Sequence, residues 1–210
     1  MIGAGPGIGG SVARRFASEG LPVALIARTT KTVHAVAETL EPYGVATLTL
    51  TADVADEAAL VAALDTSTAT FGVPEAVVYN AAIIQHDAPG ELSVQRHQAA
   101  WAVNVVGAIT AAAHLAPAMA QRGRGSFLVT GGMPEPDARY TSLSLGKAGL
   151  RALVSLLDKQ YGKAGVHFAA VTVAGTVEPG TAFDPDDIAE DYWRLHCQPR
   201  GEWQHEIVHR

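Results

Sequence analysis

Gly3-Ala4-Gly5-Pro6-Gly7-Ile8-Gly9-Gly10 is the stretch on which the fold reading turns. It runs into a segment of helical spacing, where Val12, Phe16 and the alanines between them make one apolar stripe that Gly20 closes. The first turn of a helix carries backbone N–H groups without partners, and the helix dipole adds to their pull on an anion. Glycines ahead of that turn allow positive φ and let the backbone approach a pyrophosphate closely. Gly3, Gly5, Gly7, Ile8 and Gly9 are therefore candidate phosphate-binding positions. Two registers fit, Gly5-x-Gly7-x-x-Gly10 and Gly3-x-x-x-Gly7-x-Gly9, and a purely structural glycine turn is the plain alternative.

Beyond the loop, short apolar runs alternate with longer helical segments. The runs are Val23 to Ala27, Ala46 to Leu50, Ala76 to Tyr79, Phe127 to Thr130 and Phe168 to Val173. Their lack of polar alternation predicts a parallel sheet covered on both faces. The expectation is a single α/β domain over residues 1–210, a doubly wound Rossmann-type sheet in three α/β/α layers. Thr29 or Thr30, Asp56 and Ser93 are placed to cap three of the helices, the last running towards Arg122. Further helices are expected from Ser142 to Tyr161 and from Asp184 through Trp193, and Trp203 to Val208 reads as a last edge strand. Only Met1 and Ile2 stand ahead of the glycine loop, where a central strand belongs. Either residues upstream complete it or the strand is a stub, and the first is the expectation.

At the end of the run Val23 to Ala27 the chain reads Ala27-Arg28-Thr29, with Lys31 close by. An acidic side chain there would take a ribose 2′-hydroxyl, whereas a guanidinium pairs with a 2′-phosphate. NADP(H) is thus the expected cofactor over NAD(H), through Arg28. The net charge of -6 and pI of 5.7 provide no basic footprint for nucleic acid. No apolar run looks long enough to span a bilayer, and Met1 to Ala4 show no leader. Cys197 is the only thiol, so a reducing, cytoplasmic setting is expected.

Further motifs follow in order: Asp53-Val54, Tyr79-Asn80-Ala81-Ala82, Asn104-Val105-Val106-Gly107, Ser144 to Ala148 with Lys147, and Ala174-Gly175. In this order and spacing the chain resembles the short-chain dehydrogenases/reductases over roughly residues 2 to 181. The resemblance implies an adenine contact at Asp53 and Val54 and a nucleotide-lining stretch at Asn80 and Ala81. It also implies a catalytic Asn104, a Lys147 that holds the nicotinamide ribose, and a nicotinamide-binding segment around Gly175 and Val177. Ala82 replaces a glycine of the family pattern, and Ala174 a proline.

One departure matters more. The family's catalytic tyrosine precedes its lysine by four residues, one helical turn away on the same face. A phenol, with an unperturbed pKa of about 10, needs a nearby cation to transfer protons near neutrality. Leu143 occupies that position here, and a leucine can relay no proton. Thr130 stands near the family's serine or threonine position. Tyr140, seven residues before Lys147, is a weak substitute, since two helical turns separate them by about 10 Å. His86 has a pKa range suited to proton transfer but reads as a surface histidine.

Other constellations carry less. His205 and His209 lie four apart on an expected strand, about 13 Å from each other, which cannot serve one zinc; no metal site is expected. No Gly-x-Ser-x-Gly elbow supports a hydrolase. Trp193 and Trp203 read as packing, and residues 180–198 as a short substrate lid. The apolar surplus of the last long helix (Leu150, Leu153, Val154, Leu156, Leu157) predicts a homodimer or homotetramer. Two functions remain open: an NADP(H)-dependent oxidoreductase of small carbonyls or alcohols with a substitute proton donor, or a catalytically silent NADP(H)-binding sensor or assembly protein.

Overall fold

The computed structural model describes residues 1–210 as one three-layer α/β/α unit. Its strands are β1 (Val23–Ala27), β2 (Thr47–Thr51), β3 (Ala76–Tyr79), β4 (Gly125–Thr130), β5 (Val166–Val173) and β6 (Glu206–His209). All pair in parallel, β1 with β2 and β3 through β6 in sequence order. Ile2 joins the two groups, bridging Ile26 on one side and Tyr79 on the other. Met1 to Gly3 thus sit between β1 and β3.

Successive residues of a strand face opposite sides, and the core divides accordingly. Val77, Tyr79, Phe127, Val129 and Phe168 pack towards α3 (Glu57–Phe71), α5 (Gly107–Arg122) and α6 (Thr141–Tyr161). Val78, Leu128, Ala169 and Val171 pack towards α1 (Ile8–Ala17) and α7 (Pro185–His196). Val23 and Leu25 meet α2 (Thr30–Glu38) through Val33 and Val36. With both faces covered, polar alternation would bury unpaired polar groups, which explains the continuous apolar runs.

The three predicted caps are in place, and Asp184 adds a fourth. Thr29, Asp56, Ser93 and Asp184 each accept a backbone N–H from the first turn of their helices. The helix begun by Ser93 comprises α4 (Val94–Trp101), a π segment at Ala102–Val106, and α5. Two expectations need correction. First, Val94–Arg122 is long and apolar enough to cross a membrane by length and composition. Yet its Ala111, Ala112, Leu115, Ala116 and Met119 are core residues, so its apolarity serves packing. Second, the 180–198 segment is no lid over most of its length. It forms α7, whose Ile188, Tyr192 and Leu195 are fully buried against the sheet and α1. Trp193 packs edge-on against Phe16, and Trp203 stacks flat on His167.

Gly107 shows how closely the long helix approaches the sheet. A Cβ there would overlap the Tyr79 hydroxyl, which donates to the Val103 carbonyl, and would come within 2.8 Å of the Val54 carbonyl. Helix propensity alone predicts that Gly107→Ala stabilises by about 1 kcal/mol. The contact predicts the opposite sign: a loss of about 1–3 kcal/mol, read as a Tm lower by at least about 2 °C in thermal unfolding.

Candidate active site

The glycine loop leaves the stub strand at the C-terminal edge of the sheet. Gly3 has φ of 84°, and a Cβ on it would overlap the Ala81 backbone nitrogen. A Cβ on Gly9 would overlap the Gly3 carbonyl. These two glycines hold the loop against β3 and against itself. Gly5 and Gly7 differ: nothing lies within 4 Å of where their Cβ atoms would be. No side chain caps the start of α1, where Gly7 is the N-cap residue. Open backbone at an uncapped N-terminus is a place where a phosphate fits.

Arg28 follows β1 directly, is exposed and makes no hydrogen bond or ion pair. Asp53 accepts the Ala55 N–H beside buried Val54. On the far side, Gly175 lies under the Phe183 ring, and Val177 is exposed in the loop after β5.

Between these ends runs a chain of hydrogen bonds. The Asn80 Nδ2 donates to the Gly3 carbonyl at 2.9 Å, and its Oδ1 accepts the Thr130 hydroxyl at 2.7 Å. With that proton spent, the Tyr192 hydroxyl, 2.6 Å away, donates to Thr130 Oγ1. Thr130 is only 6 % exposed. Its hydroxyl is therefore engaged by two partners within the fold. The Thr130 carbonyl accepts Lys147 Nζ at 2.6 Å. Burial, assisted by the nearby Arg151 guanidinium, lowers the Lys147 pKa to about 8. Arg151 itself donates to the carbonyls of Gly132 and Met133.

Asn104 lies in the π segment and is 1 % exposed. Its Oδ1 accepts the Ile83 N–H at 2.7 Å and its Nδ2 donates to the Ile83 carbonyl at 3.3 Å. It thereby clamps the loop after β3. The π turn is the local irregularity that aims it. Gly146 allows the approach, since a Cβ there would come within 2.7 Å of Asn104 Cβ. Asn104, Lys147 and Thr130 thus gather at one end of β3 and β4, with Asn80 and Ala81 beside them.

Leu143 sits one turn before Lys147, 4 % exposed. Tyr140 is the N-cap residue of α6, outside the regular helix. Its hydroxyl lies 2.9 Å from His86 Nε2, and the two rings approach to 4.3 Å. The sequence reading treated these residues separately; the loop carrying His86 brings them together. A second contact was missed. Asp87, 1 % exposed, accepts both the Ser142 N–H at 2.9 Å and the Ser142 hydroxyl at 3.0 Å. This buried carboxylate ties the His86 loop to the first turn of α6, where the dipole favours negative charge. Tyr192 and Arg151 were also missed, because only folding places them against Thr130 and Gly132.

The profile of the short chain dehydrogenase family matches residues 1–186. The chain is 29% identical over 193 residues to cis-4-hydroxycyclohexanecarboxylate dehydrogenase of Sinomonas cyclohexanicum, covering 90% of this chain and 76% of that one. An alcohol dehydrogenase from Thermococcus sibiricus, complexed with 5-hydroxy-NADP, superimposes with a TM-score of 0.90 at 24% identity, over 99% of this chain and 93% of that one. A metagenomic short-chain oxidoreductase in complex with NADP superimposes at 0.88 with 26% identity and the same coverage.

The buried Lys147 makes stability depend on pH in a stated direction. Its folded pKa of about 8 lies below its ordinary 10.5. Below pH 8 both folded and unfolded chains hold the proton, and the cost of burying the cation is fully present. Between about 8 and 10.5 the unfolded chain binds the proton that the native chain has released, so this contribution to stability rises with pH. Tm measured across that window is expected to rise for the natural chain relative to Lys147→Met, in which the difference disappears.

Proposed function

The chain belongs to the short-chain dehydrogenase family, and from that premise we propose that it is an NADP(H)-dependent oxidoreductase of a carbonyl or alcohol group in a small molecule. The uncapped start of α1 and the unpaired Arg28 support the cofactor. The loop backbone from Gly3 to Gly9 would hold the pyrophosphate, and Arg28 the 2′-phosphate. Asp53, Val54, Asn80 and Ala81 would line the adenosine side, with Gly175 and Val177 towards the nicotinamide. The NADP carried by the metagenomic oxidoreductase supports the same choice. The bound nucleotide supplies the hydride.

The chain's own residues supply position and protons. Lys147, held on the Thr130 carbonyl, presents a cation to the cofactor ribose. Asn104 and Thr130 act as positioning residues, one fixing the loop after β3 and the other joining β4 to Asn80 and Tyr192. The observation that carries the enzymatic reading is the Tyr140–His86 contact at the start of the helix bearing Lys147. Tyr140 there replaces the absent phenol at position 143, and exposed His86 exchanges its proton with water. Exposed Ile84 and Val177, on two loops at this end, suit a substrate with an apolar body.

The second reading, a silent NADP(H) sensor, is favoured by Leu143 alone. For assembly, Trp101, Val106, Ile109, Leu145 and Leu156 expose apolar surface along α4 to α6, which supports pairing of copies on that side. A soluble cytoplasmic setting fits the lone thiol.

Calorimetry is expected to give tighter binding of NADPH than of NADH, with Arg28→Ala weakening NADPH by about tenfold or more and leaving NADH unchanged. In a carbonyl and alcohol panel, Tyr140→Phe is expected to lower kcat by about 10²- to 10⁴-fold at unchanged NADPH affinity. Tight NADPH binding without turnover of any substrate would establish the sensor instead. Leu143→Tyr is expected to raise activity by restoring a phenol one turn from Lys147.

A further inference from the structure

The chain from Ala174 to Asp184 joins β5 to α7. Every residue from Ala174 to Ala182 is exposed, so the apolar packing that fixes the sheet and helices does not hold it. Its own bonds shape a closed turn. Gly180 N–H donates to Asp184 Oδ2 at 2.6 Å, Glu178 N–H to the Phe183 carbonyl at 3.2 Å, and the Thr181 hydroxyl to the Glu178 carbonyl at 2.8 Å. None of these bonds ties the turn to the sheet. Within the loop, the Phe183 ring lies on Gly175, where a Cβ would overlap it.

His209, at the end of β6, fastens this loop at both ends. Its backbone carbonyl accepts the Ala174 N–H at 3.1 Å, which carries the β5–β6 ladder one bond further. Its Nε2 lies 2.9 Å from the Ala182 carbonyl, which accepts no other donor. Its Nδ1 lies 2.8 Å from Asp191 Oδ2 on α7, and the second oxygen of that carboxylate accepts Arg194 at 3.0 Å. The Phe183 ring stands 6.0 Å from the imidazole, so the same side chain backs the contact with Gly175.

Both partners of the ring are acceptors, a carboxylate and a carbonyl. A neutral imidazole donates from one nitrogen only and would turn a lone pair on the other partner. The arrangement therefore asks for a proton on each nitrogen, with the Asp191 carboxylate as countercharge. Charge-assisted bonds of this kind are stronger than neutral ones. They are also shielded, because Asp191 is 8 % exposed and the His209 side chain 14 %.

We propose that His209 is a positioning residue for the nicotinamide half of the cofactor, acting as a strap between Asp191 and the Ala182 carbonyl that sets the loop bearing Gly175 and Val177. The role in binding rests on the function proposed above; the strap itself does not. His209 touches no reacting atom and acts through the loop alone. An exposed loop that is already ordered loses less conformational entropy when a ligand docks on it. Removing the side chain frees the Ala182 end, while the backbone bond to Ala174 remains.

The test uses the full chain and its His209→Phe and His209→Gln variants. Phenylalanine keeps a ring and loses both donors; glutamine returns an N–H for the Ala182 carbonyl. Calorimetry with NADPH is set beside adenosine 2′,5′-bisphosphate, which has the 2′-phosphate and no nicotinamide. His209→Phe is expected to weaken NADPH about tenfold and to leave the bisphosphate within about twofold, and His209→Gln to recover most of the loss. Amide exchange at Gly180 and Phe183 is expected to quicken about tenfold in His209→Phe, with the Ala174 amide unchanged. Equal NADPH affinity in His209→Phe, or equal weakening of both ligands, would overturn the positioning role. Unchanged exchange at Gly180 and Phe183 would overturn the strap. A natural chain that binds neither ligand would refute the cofactor reading, and the exchange measurement, which needs no nucleotide, would still decide the strap.

Discussion

Thr130 holds the candidate site together, because its two oxygens serve three other elements. The hydroxyl bonds Asn80 and, through Tyr192, α7; the carbonyl bonds Lys147 on α6. Asn80 passes the connection on to the Gly3 carbonyl. Each such bond contributes only about 0.5–1.5 kcal/mol net, but leaving one of these buried groups unpaired costs about 1–3 kcal/mol. The glycine loop, the end of β4 and the lysine helix therefore keep one arrangement.

The same bonds bear on the proposed chemistry. A threonine hydroxyl engaged by two neighbours is not available to a substrate, and Leu143 has no proton to offer. The proposed donor lies at the entrance of α6, where Tyr140 meets His86. Asp87 fixes that entrance by accepting both polar groups of Ser142. The proposed proton route thus starts one turn away from the family's position, on a loop anchored by a buried carboxylate.

Packing decides two further points. The segment after β5 spends its apolar residues on the core through Ile188, Tyr192 and Leu195, which leaves little chain to cover a substrate. Ile2, 1 % exposed, is held between β1 and β3 by both neighbours. Both observations concern where apolar surface is buried, the dominant favourable contribution to folding.

Much of this was legible in the order of residues. Strands buried on both faces are continuous apolar runs, and helix caps need Thr29, Asp56, Ser93 or Asp184 at one position, so period and punctuation revealed the parallel sheet and its helices. The glycine loop and the spacing of Asn104 and Lys147 were legible for the same reason: they are local patterns on single elements. The direction of the Thr130 hydroxyl was not, because it depends on Tyr192, 62 residues away. Nor were the pairing of Tyr140 with His86, the burial of Asp87 and the packing of α7. Those depend on which loops and helices meet at the sheet's edge, and contacts between distant residues are settled only when apolar faces and buried polar groups find their partners together.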